Sequence, residues 1–130
     1  MRFVIGLSAL SFMLTACGGQ PLAEQAVVAD SINFTDKDCA AQGLPIAIVF
    51  KNNTVQPTRQ ISWRFVVRRL NHSDNLTGLD MAKEIEDPNR RSDRIIQPGE
   101  SFKVCSSAPE IAGYDLDSKE LTYDVIVSSE

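Results

Sequence analysis

Apolar and polar side chains alternate along several stretches of the chain, and this two-residue period predicts β-strands. The best such signal lies within residues 59–70, where β-branched and aromatic residues occupy every second position from 61 to 67. Successive side chains of a strand point to opposite faces, so we expect one face in the core, with Trp63 near its centre, and the other mostly in water. The inward set is Ile61, Trp63, Phe65 and Val67, and the outward set is Ser62, Arg64, Val66 and Arg68.

Four other segments also favour strands. Residues 101–105 and 121–128 alternate in the same way, whereas residues 44–51 are largely apolar on both sides, which is typical of a central, covered strand. Residues 26–34 suit a first strand, but residues 23–29 could equally begin a helix. Both interpretations of that segment stay open at this point.

Turn signals separate these segments. The run Asn52-Asn53-Thr54, followed by Pro57, ends the second predicted strand. Regular structure is expected again at residues 93–97. Pro98-Gly99 then suits the central positions of a type II turn, because proline presets φ and glycine accepts a positive φ.

The polar stretch of residues 71–93 allows more than one prediction. Asp80 could cap a short helix over residues 81–86, which Pro88 would end. A mobile loop or an edge strand at residues 76–79 fits the same sequence. With about six to seven short strands and at most this short helix, the pattern predicts an all-β fold, an antiparallel β-sandwich. The chain length suits one compact domain, placed at residues 26–130.

The N-terminal segment has the features of an export signal. An apolar run over residues 3–16 follows a single Arg2 and is too short for a permanent membrane span, which takes about 20 residues. It ends in Leu14-Thr15-Ala16-Cys17, the pattern of a bacterial lipoprotein lipobox. We therefore predict a signal peptide at residues 1–16 and, at residues 17–25, a lipidated Cys17 (diacylglycerol and acyl chains such as palmitate) with a polar linker. A plain secretory peptide that happens to contain Cys17 is the alternative.

Charge narrows the set of partners. The whole chain carries 13 basic and 17 acidic side chains, a net charge of −4, and removal of Arg2 with the signal makes it more acidic still. Nucleic-acid phosphates would repel such a protein, so we expect no nucleic acid partner.

Two cysteines remain once Cys17 is assigned to the anchor. Cys39 and Cys105 would meet in an oxidising compartment after export, where a disulfide is the usual outcome. A metal site is the alternative, but the sole histidine, His72, has no partner at zinc-like spacing. We predict the Cys39–Cys105 disulfide and no metal or cofactor.

Two motifs carry a resemblance to a known family. Residues 48–54, the long strand after them, and residues 95–102 with their Pro-Gly-Glu hairpin resemble the small immunoglobulin- or fibronectin-III-like domains of bacterial cell-envelope lipoproteins, such as the FxLYD-type domains. The resemblance implies an immunoglobulin-like sandwich of about six to seven strands. Residues 67–70 lack the aromatic-acidic ending common in such domains, and the cysteine pair is not part of their pattern. Because one fold supports many functions, the resemblance implies no catalytic residue.

The charged residues suggest few sites. Most carboxylates lie in expected turns or along the acidic C-terminal segment, where they solubilise the surface, and we predict no catalytic set and no enzyme. Asp115, Asp117 and Glu120 have calcium-like chemistry without the loop pattern of a calcium site. Arginine forks suit phosphates and carboxylates, so a binding patch is one hypothesis and a solvated, ion-paired face is the other. The arginines concerned are Arg64, Arg68, Arg69, Arg90, Arg91 and Arg94.

These features together predict a non-enzymatic, lipid-anchored envelope protein that acts as a protein-interaction module. The expected contact surface is an exposed edge strand or the loop of residues 71–93. The alternatives are a small-ligand or ion-binding lipoprotein, or a periplasmic immunity or inhibitor protein. Gly18, rather than an acidic residue, follows Cys17, which resembles the pattern of outer-membrane lipoproteins that face the periplasm of a Gram-negative host.

Overall fold

A computed structural model describes residues 26–77 and 87–130. Strands dominate this part of the chain, and one short α-helix and a single 3-10 turn, Pro88–Arg90, accompany them. The strands are β1 (Val27–Asn33), β2 (Ile46–Asn52), β3 (Ile61–Arg69), β4 (Arg91–Ser92), β5 (Ser101–Ser106) and β6 (Leu121–Ser129), and the helix is α1 (Lys37–Ala41).

The strands form two antiparallel sheets. The first has the order β1-β2-β5 and the second the order β4-β3-β6. In the immunoglobulin fold, strands A, B and E share one sheet and strands C and F share the other. Here β1, β2 and β5 take the places of strands A, B and E, and β3 and β6 take the places of strands C and F. The prediction of an antiparallel, immunoglobulin-like β-sandwich is confirmed.

The core lies between the sheets, where the inward faces of β2 and β3 meet. Phe50 of β2 packs on Trp63 of β3, with ring centroids 5.0 Å apart. The four inward residues predicted for β3 are all buried, and so are Ile46 and Ile48 of β2. The outward face of β3 is less wet than predicted, because Val66 on that face is only 5% exposed.

The sequence left the structure of the first segment open, and it did not indicate the short helix that follows. Residues 27–33 form a strand that pairs with β2, so the helical alternative is wrong. The helix α1, which the sequence analysis did not predict, follows directly. The Asp36 carboxylate caps it by accepting a hydrogen bond from the Cys39 backbone N–H at 3.0 Å. An aspartate just before a helical turn was the signal available in the sequence.

The turn before β5 forms as predicted. The Glu100 N–H donates to Gln97 O at 3.0 Å, and Gly99 has φ of +76°, as the third position of a type II turn requires. Residues 93–97 form no strand. Ile96 makes an isolated bridge with Thr58, and the strand before this segment, β4, is limited to two residues.

The two motifs that carried the family resemblance lie against each other. The buried Asn52 side chain donates to Gln56 O and Ile96 O and accepts from Thr54. Its backbone N–H donates to Glu100 O, and its carbonyl accepts from Gly99 N–H at 2.7 Å. Asn52 thereby fixes the turn of residues 97–100 to the end of β2.

Part of the polar stretch of residues 71–93 runs along β3. Leu76 N–H donates to Val67 O at 2.7 Å, and the buried Thr77 hydroxyl donates to Phe65 O at 3.0 Å. The edge-strand alternative therefore has one backbone contact with β3 at its beginning. The predicted helix over residues 81–86 lies outside the described residues, as do the predicted signal peptide, Cys17 and the linker.

Candidate interaction surface

One side of the sandwich is less complete than the other. The edge strands β1 and β6 face each other there, one from each sheet, and we call this the open side. Apart from the buried Val27 and Leu121, its inward side chains are only half-buried, whereas those of β2 and β3 in the middle of the sandwich are buried. These half-buried residues are Ala29, Ile32, Phe34, Tyr123, Val125 and Val127.

The hydrogen bonds at both ends of the β3–β6 ladder fix which backbone groups of β6 face outward. Leu70 N–H donates to Glu120 O, and Glu130 N–H donates to Gln60 O. The register between them is unbroken, so the even-numbered residues of β6 exchange hydrogen bonds with β3. The odd-numbered residues of β6 point their N–H and C=O groups away from the sheet. No backbone partner for Tyr123, Val125 or Val127 occurs within residues 26–77 and 87–130.

Two other edges of the described sheets, that of β1 and that of β4 with β3, are modified in ways that hinder pairing. Strand β1 carries a bulge at Asp30, where the register with β2 shifts between Ala29 and Ser31. Strand β4 has two residues, and Leu76 and Thr77 occupy the next part of the β3 edge. Strand β6 has nine residues, with neither a proline nor a shift in its register. The outward N–H of Leu121 already donates to Ser118 O at 3.2 Å. We call the outward backbone groups of the next four odd-numbered residues, Tyr123, Val125, Val127 and Ser129, the β6 edge.

A cleft of about 530 Å³ lies on the outer face of the second sheet, next to the C-terminal half of β6. Register places Ser62 directly between Arg91 of β4 and Ser128 of β6, and it places Arg64 opposite Ile126. These side chains line the cleft together with the chain end at Glu130. The lining thus combines arginine guanidinium groups and serine hydroxyls with the apolar Ile126 and the acidic Glu130.

The six arginines of the predicted binding patch are distributed over several places. Arg64, Arg90 and Arg91 line the cleft. The other three lie outside the cleft lining and form ion pairs: Arg68 with Asp124 at 2.6 Å, Arg69 with Asp74 at 2.6 Å, and Arg94 with Glu100 at 3.0 Å. Arg90 is ion-paired as well, with Asp87 at 3.8 Å. A binding role for these residues stays a prediction.

Arg90 differs from the other arginines because it is only 5% exposed. Its guanidinium donates to Ser107 Oγ and Ala108 O, each at 3.0 Å, and lies 5.3 Å from the centre of the Phe65 ring. Nearby, burial acts to raise the pKa of Asp87, but hydrogen bonds from Ser107 and the Asn89 N–H, with the Arg90 charge, outweigh it and lower that pKa. Arg90 thus holds the 3-10 turn against the end of β5.

The predicted disulfide is present. Cys39 and Cys105 are bonded, and they join α1 to β5 rather than joining two strands or the two sheets. Lys103 of β5 also contacts the helix start, with Nζ 2.9 Å from Asp36 and 3.5 Å from Asp38. The hydrogen bond from Lys103 and the one from the Cys39 N–H lower the pKa of Asp36.

Strand β6 begins with a second feature of immunoglobulin domains. The Tyr123 hydroxyl donates to Leu116 O, seven residues upstream, at 2.7 Å. A tyrosine near the start of strand F that bonds to the backbone upstream is the tyrosine corner of that fold. Burial, together with the nearby Asp117 charge, raises the pKa of Tyr123 to about 12.

Other chemistry considered from the sequence does not assemble in the described residues. His72 lies in an exposed turn after β3, where its backbone N–H donates to Arg69 O. Residues 26–77 and 87–130 contain no cluster of three or more histidine, cysteine or acidic side chains that could hold a metal ion. No helix in these two ranges is long and apolar enough to span a bilayer.

Comparison with known proteins adds no further identification: the chain matches no family model, no curated protein and no solved structure. The candidate site is therefore defined by geometry alone. It comprises the β6 edge and the adjoining cleft. The alternation at residues 121–128 predicted the strand, but it carried no signal that this strand lies at a sheet edge.

Proposed function

We propose that this protein is a non-enzymatic, lipid-anchored envelope protein that binds another envelope protein through the open side of its β-sandwich. The observation that carries the proposal is the β6 edge. A long, regular edge with unpaired backbone groups is the feature by which sheets bind an extended segment of another chain.

The N-terminal sequence and the disulfide support the cellular setting. Cys17 follows the Leu-Thr-Ala pattern of a lipobox, and the Cys39–Cys105 bond is of the kind that persists in oxidising compartments. With Gly18 after Cys17, we place the protein on the outer membrane, facing the periplasm of a Gram-negative host. An acylated N-terminal Cys17 in mass spectra of membrane-extracted protein supports this setting. A full-length chain with an unmodified Cys17 refutes it.

The binding role can be tested with a matched pair of variants at Val125. Val125→Pro and Val125→Ala both remove the branched side chain, but only proline removes the outward N–H and places ring atoms on the β6 edge. Neither variant removes a β3–β6 hydrogen bond, because the Val125 backbone points away from β3.

The expected result is that the alanine variant still captures the partner from mild membrane extracts and the proline variant does not. Val127→Pro and Val127→Ala form a second pair in case Val125→Pro fails to fold. Equal capture by the proline and alanine variants at both positions would exclude the β6 edge as the contact surface.

The cleft supports a second candidate function, binding of a small anionic ligand by Arg64 and Arg91 near Ser62 and Ser128. Addition of phosphate or a dicarboxylate should then raise the unfolding temperature of the wild type but not that of an Arg64→Gln, Arg91→Gln variant. The absence of a shift at millimolar ligand counts against it. An immunity or inhibitor protein would be a narrower form of the first proposal, with a toxin or enzyme as the partner.

A further inference from the structure

We propose that the partner contributes an extended strand with apolar side chains toward the sandwich core and basic side chains toward the outer face of β6. This inference rests on the proposed function, because it describes the occupant of the same open side. It specifies the chemistry of the partner, which the proposed function leaves undefined.

The backbone of the β6 edge selects an extended partner. Its outward N–H and C=O groups recur at every second residue, a repeat of about 7 Å. Another strand offers acceptors and donors with the same repeat, and an antiparallel strand meets each outward residue with a pair of hydrogen bonds. A helix cannot do so, since its backbone groups are bonded within the helix.

The inward side chains of β6 select apolar residues on one face of that strand. Tyr123, Val125 and Val127 point toward the core but remain half-buried. Across the open side, the Phe34 ring lies 4.9 Å from the Tyr123 ring. An added strand would place every second side chain beside these residues and remove their remaining apolar surface from water.

The outward side chains select basic residues on the other face. Asp124 points outward with a side chain that is 67% exposed, although it contacts Arg68. Glu120 and Glu130 flank the strand with the same orientation, and both are exposed. Lysine or arginine opposite these carboxylates would form favourable cross-strand pairs.

The same charges disfavour a second copy of this chain as the occupant. Full antiparallel overlap of two β6 strands is centred on Val125, so residues whose numbers average 125 lie opposite each other. Glu120 then faces Glu130 of the second copy, and this happens at both ends of the pair. Like charges directly opposite each other destabilise a strand pair, and each chain already has a net charge of −4.

The inference can be tested with labelled peptides of about nine residues, the length of β6. One peptide alternates lysine and valine, one alternates glutamate and valine, and one is the lysine–valine peptide with a central proline. Binding is measured by fluorescence anisotropy. Amide hydrogen exchange by NMR then reports on individual residues of the intact mature protein.

The expected result is that only the uninterrupted lysine–valine peptide binds and that it slows exchange at Tyr123, Val125 and Val127. Asp124→Asn should weaken this binding about two- to five-fold. Asp38→Asn, which removes the same charge from the Lys103 pair on β5, in the other sheet, serves as the control and should leave the affinity unchanged.

Several outcomes overturn the inference. One is equal binding of the glutamate peptide, and another is no binding up to about 1 mM lysine–valine peptide. Binding without slower exchange at the three odd-numbered residues excludes strand addition. Slow exchange that appears with rising protein concentration and no peptide identifies a second copy instead. If partner capture still separates Val125→Ala from Val125→Pro, the proposed function survives any of these results.

Discussion

The two sides of the sandwich are held together in different ways. On the side of β5, a disulfide joins β5 to α1, Trp63 Nε1 donates to Ser106 Oγ at 2.9 Å between the sheets, and Arg90 ties the 3-10 turn to the residues after β5. On the open side, β1 and β6 meet through half-buried apolar side chains such as Phe34 and Tyr123.

Under the proposed function, this difference separates the part of the fold that gives stability from the part that binds the partner. The covalent bond and the buried polar contacts concentrate where the chain needs no access. The open side keeps backbone groups and apolar surface available along one regular strand. Perturbation of the β5 side should therefore change the free energy of unfolding, whereas perturbation of the β6 edge should change binding.

Removal of the disulfide should have the largest effect on stability. The Cys39→Ala, Cys105→Ala double variant frees two residues that are 66 positions apart, which on the chain-entropy model lowers the free energy of unfolding by about 4 kcal/mol. Urea unfolding of the oxidised wild type and the variant measures the difference. A loss below about 1 kcal/mol would show that the β5 side does not depend on its covalent link.

Trp63→Phe should have a smaller effect. The variant keeps an aromatic ring against Phe50 but loses the hydrogen bond to the fully buried Ser106 hydroxyl and leaves space where the indole was. We expect a loss of about 2 kcal/mol in urea unfolding. In the Ser106→Ala background, Trp63→Phe should lose less, because the hydroxyl oxygen that accepts the indole hydrogen bond is already absent.

Tyr123→Phe should be milder still and tests the open side directly. It removes the hydrogen bond to Leu116 O, so the free energy of unfolding should fall by about 1 kcal/mol near neutral pH. The folded-state pKa of Tyr123 is raised to about 12 from 10.0. The contribution of the Tyr123 hydroxyl to the free energy of unfolding is therefore fully present below pH 10.0 and is lost as the pH rises toward 12. Stability of the wild type, but not of the phenylalanine variant, should show this alkaline loss.

Acid should weaken the link between α1 and β5 by a small amount. The pKa of Asp36 is lowered from its ordinary 3.8, chiefly by the hydrogen bond from Lys103, so its contribution is present above pH 3.8 and is lost as the pH falls through the folded-state pKa. Asp36→Asn keeps a capping oxygen and removes the charge. Between pH 5 and pH 2, a range of about three pH units, the unfolding temperature of Asp36→Asn should fall less than that of the wild type. An identical pH dependence of the two proteins would contradict the role assigned to the Lys103 pair.

The outcome for individual elements shows where sequence reasoning succeeds. The alternation over residues 59–70 and 121–128 predicted β3 and β6, because side-chain direction in a strand follows directly from residue parity. The Pro98-Gly99 turn followed from the φ preferences of two residue types. The Cys39–Cys105 bond followed from the number of cysteines and the expected compartment.

Other features depended on distant contacts. Regular structure is expected at residues 93–97, but within the described residues only Ile96 forms a bridge there. Helix α1 is five residues long, and its disulfide and Lys103 contacts come from β5, far along the chain. Arg90 has a sequence context like its neighbours, yet it is buried because Ser107, Ala108 and Phe65 surround it.

The sequence by itself determined the class of fold, the positions of the main strands and the pair of cysteines, because these depend on local periodicity, turn chemistry and residue type. Only the tertiary structure decided that β6 lies at an edge, that its odd-numbered backbone groups face outward, and that Arg64 and Arg91 share a cleft. The physical reason is that a strand's pattern records which side chains are covered, whereas its hydrogen-bond partners are set by the neighbouring strands.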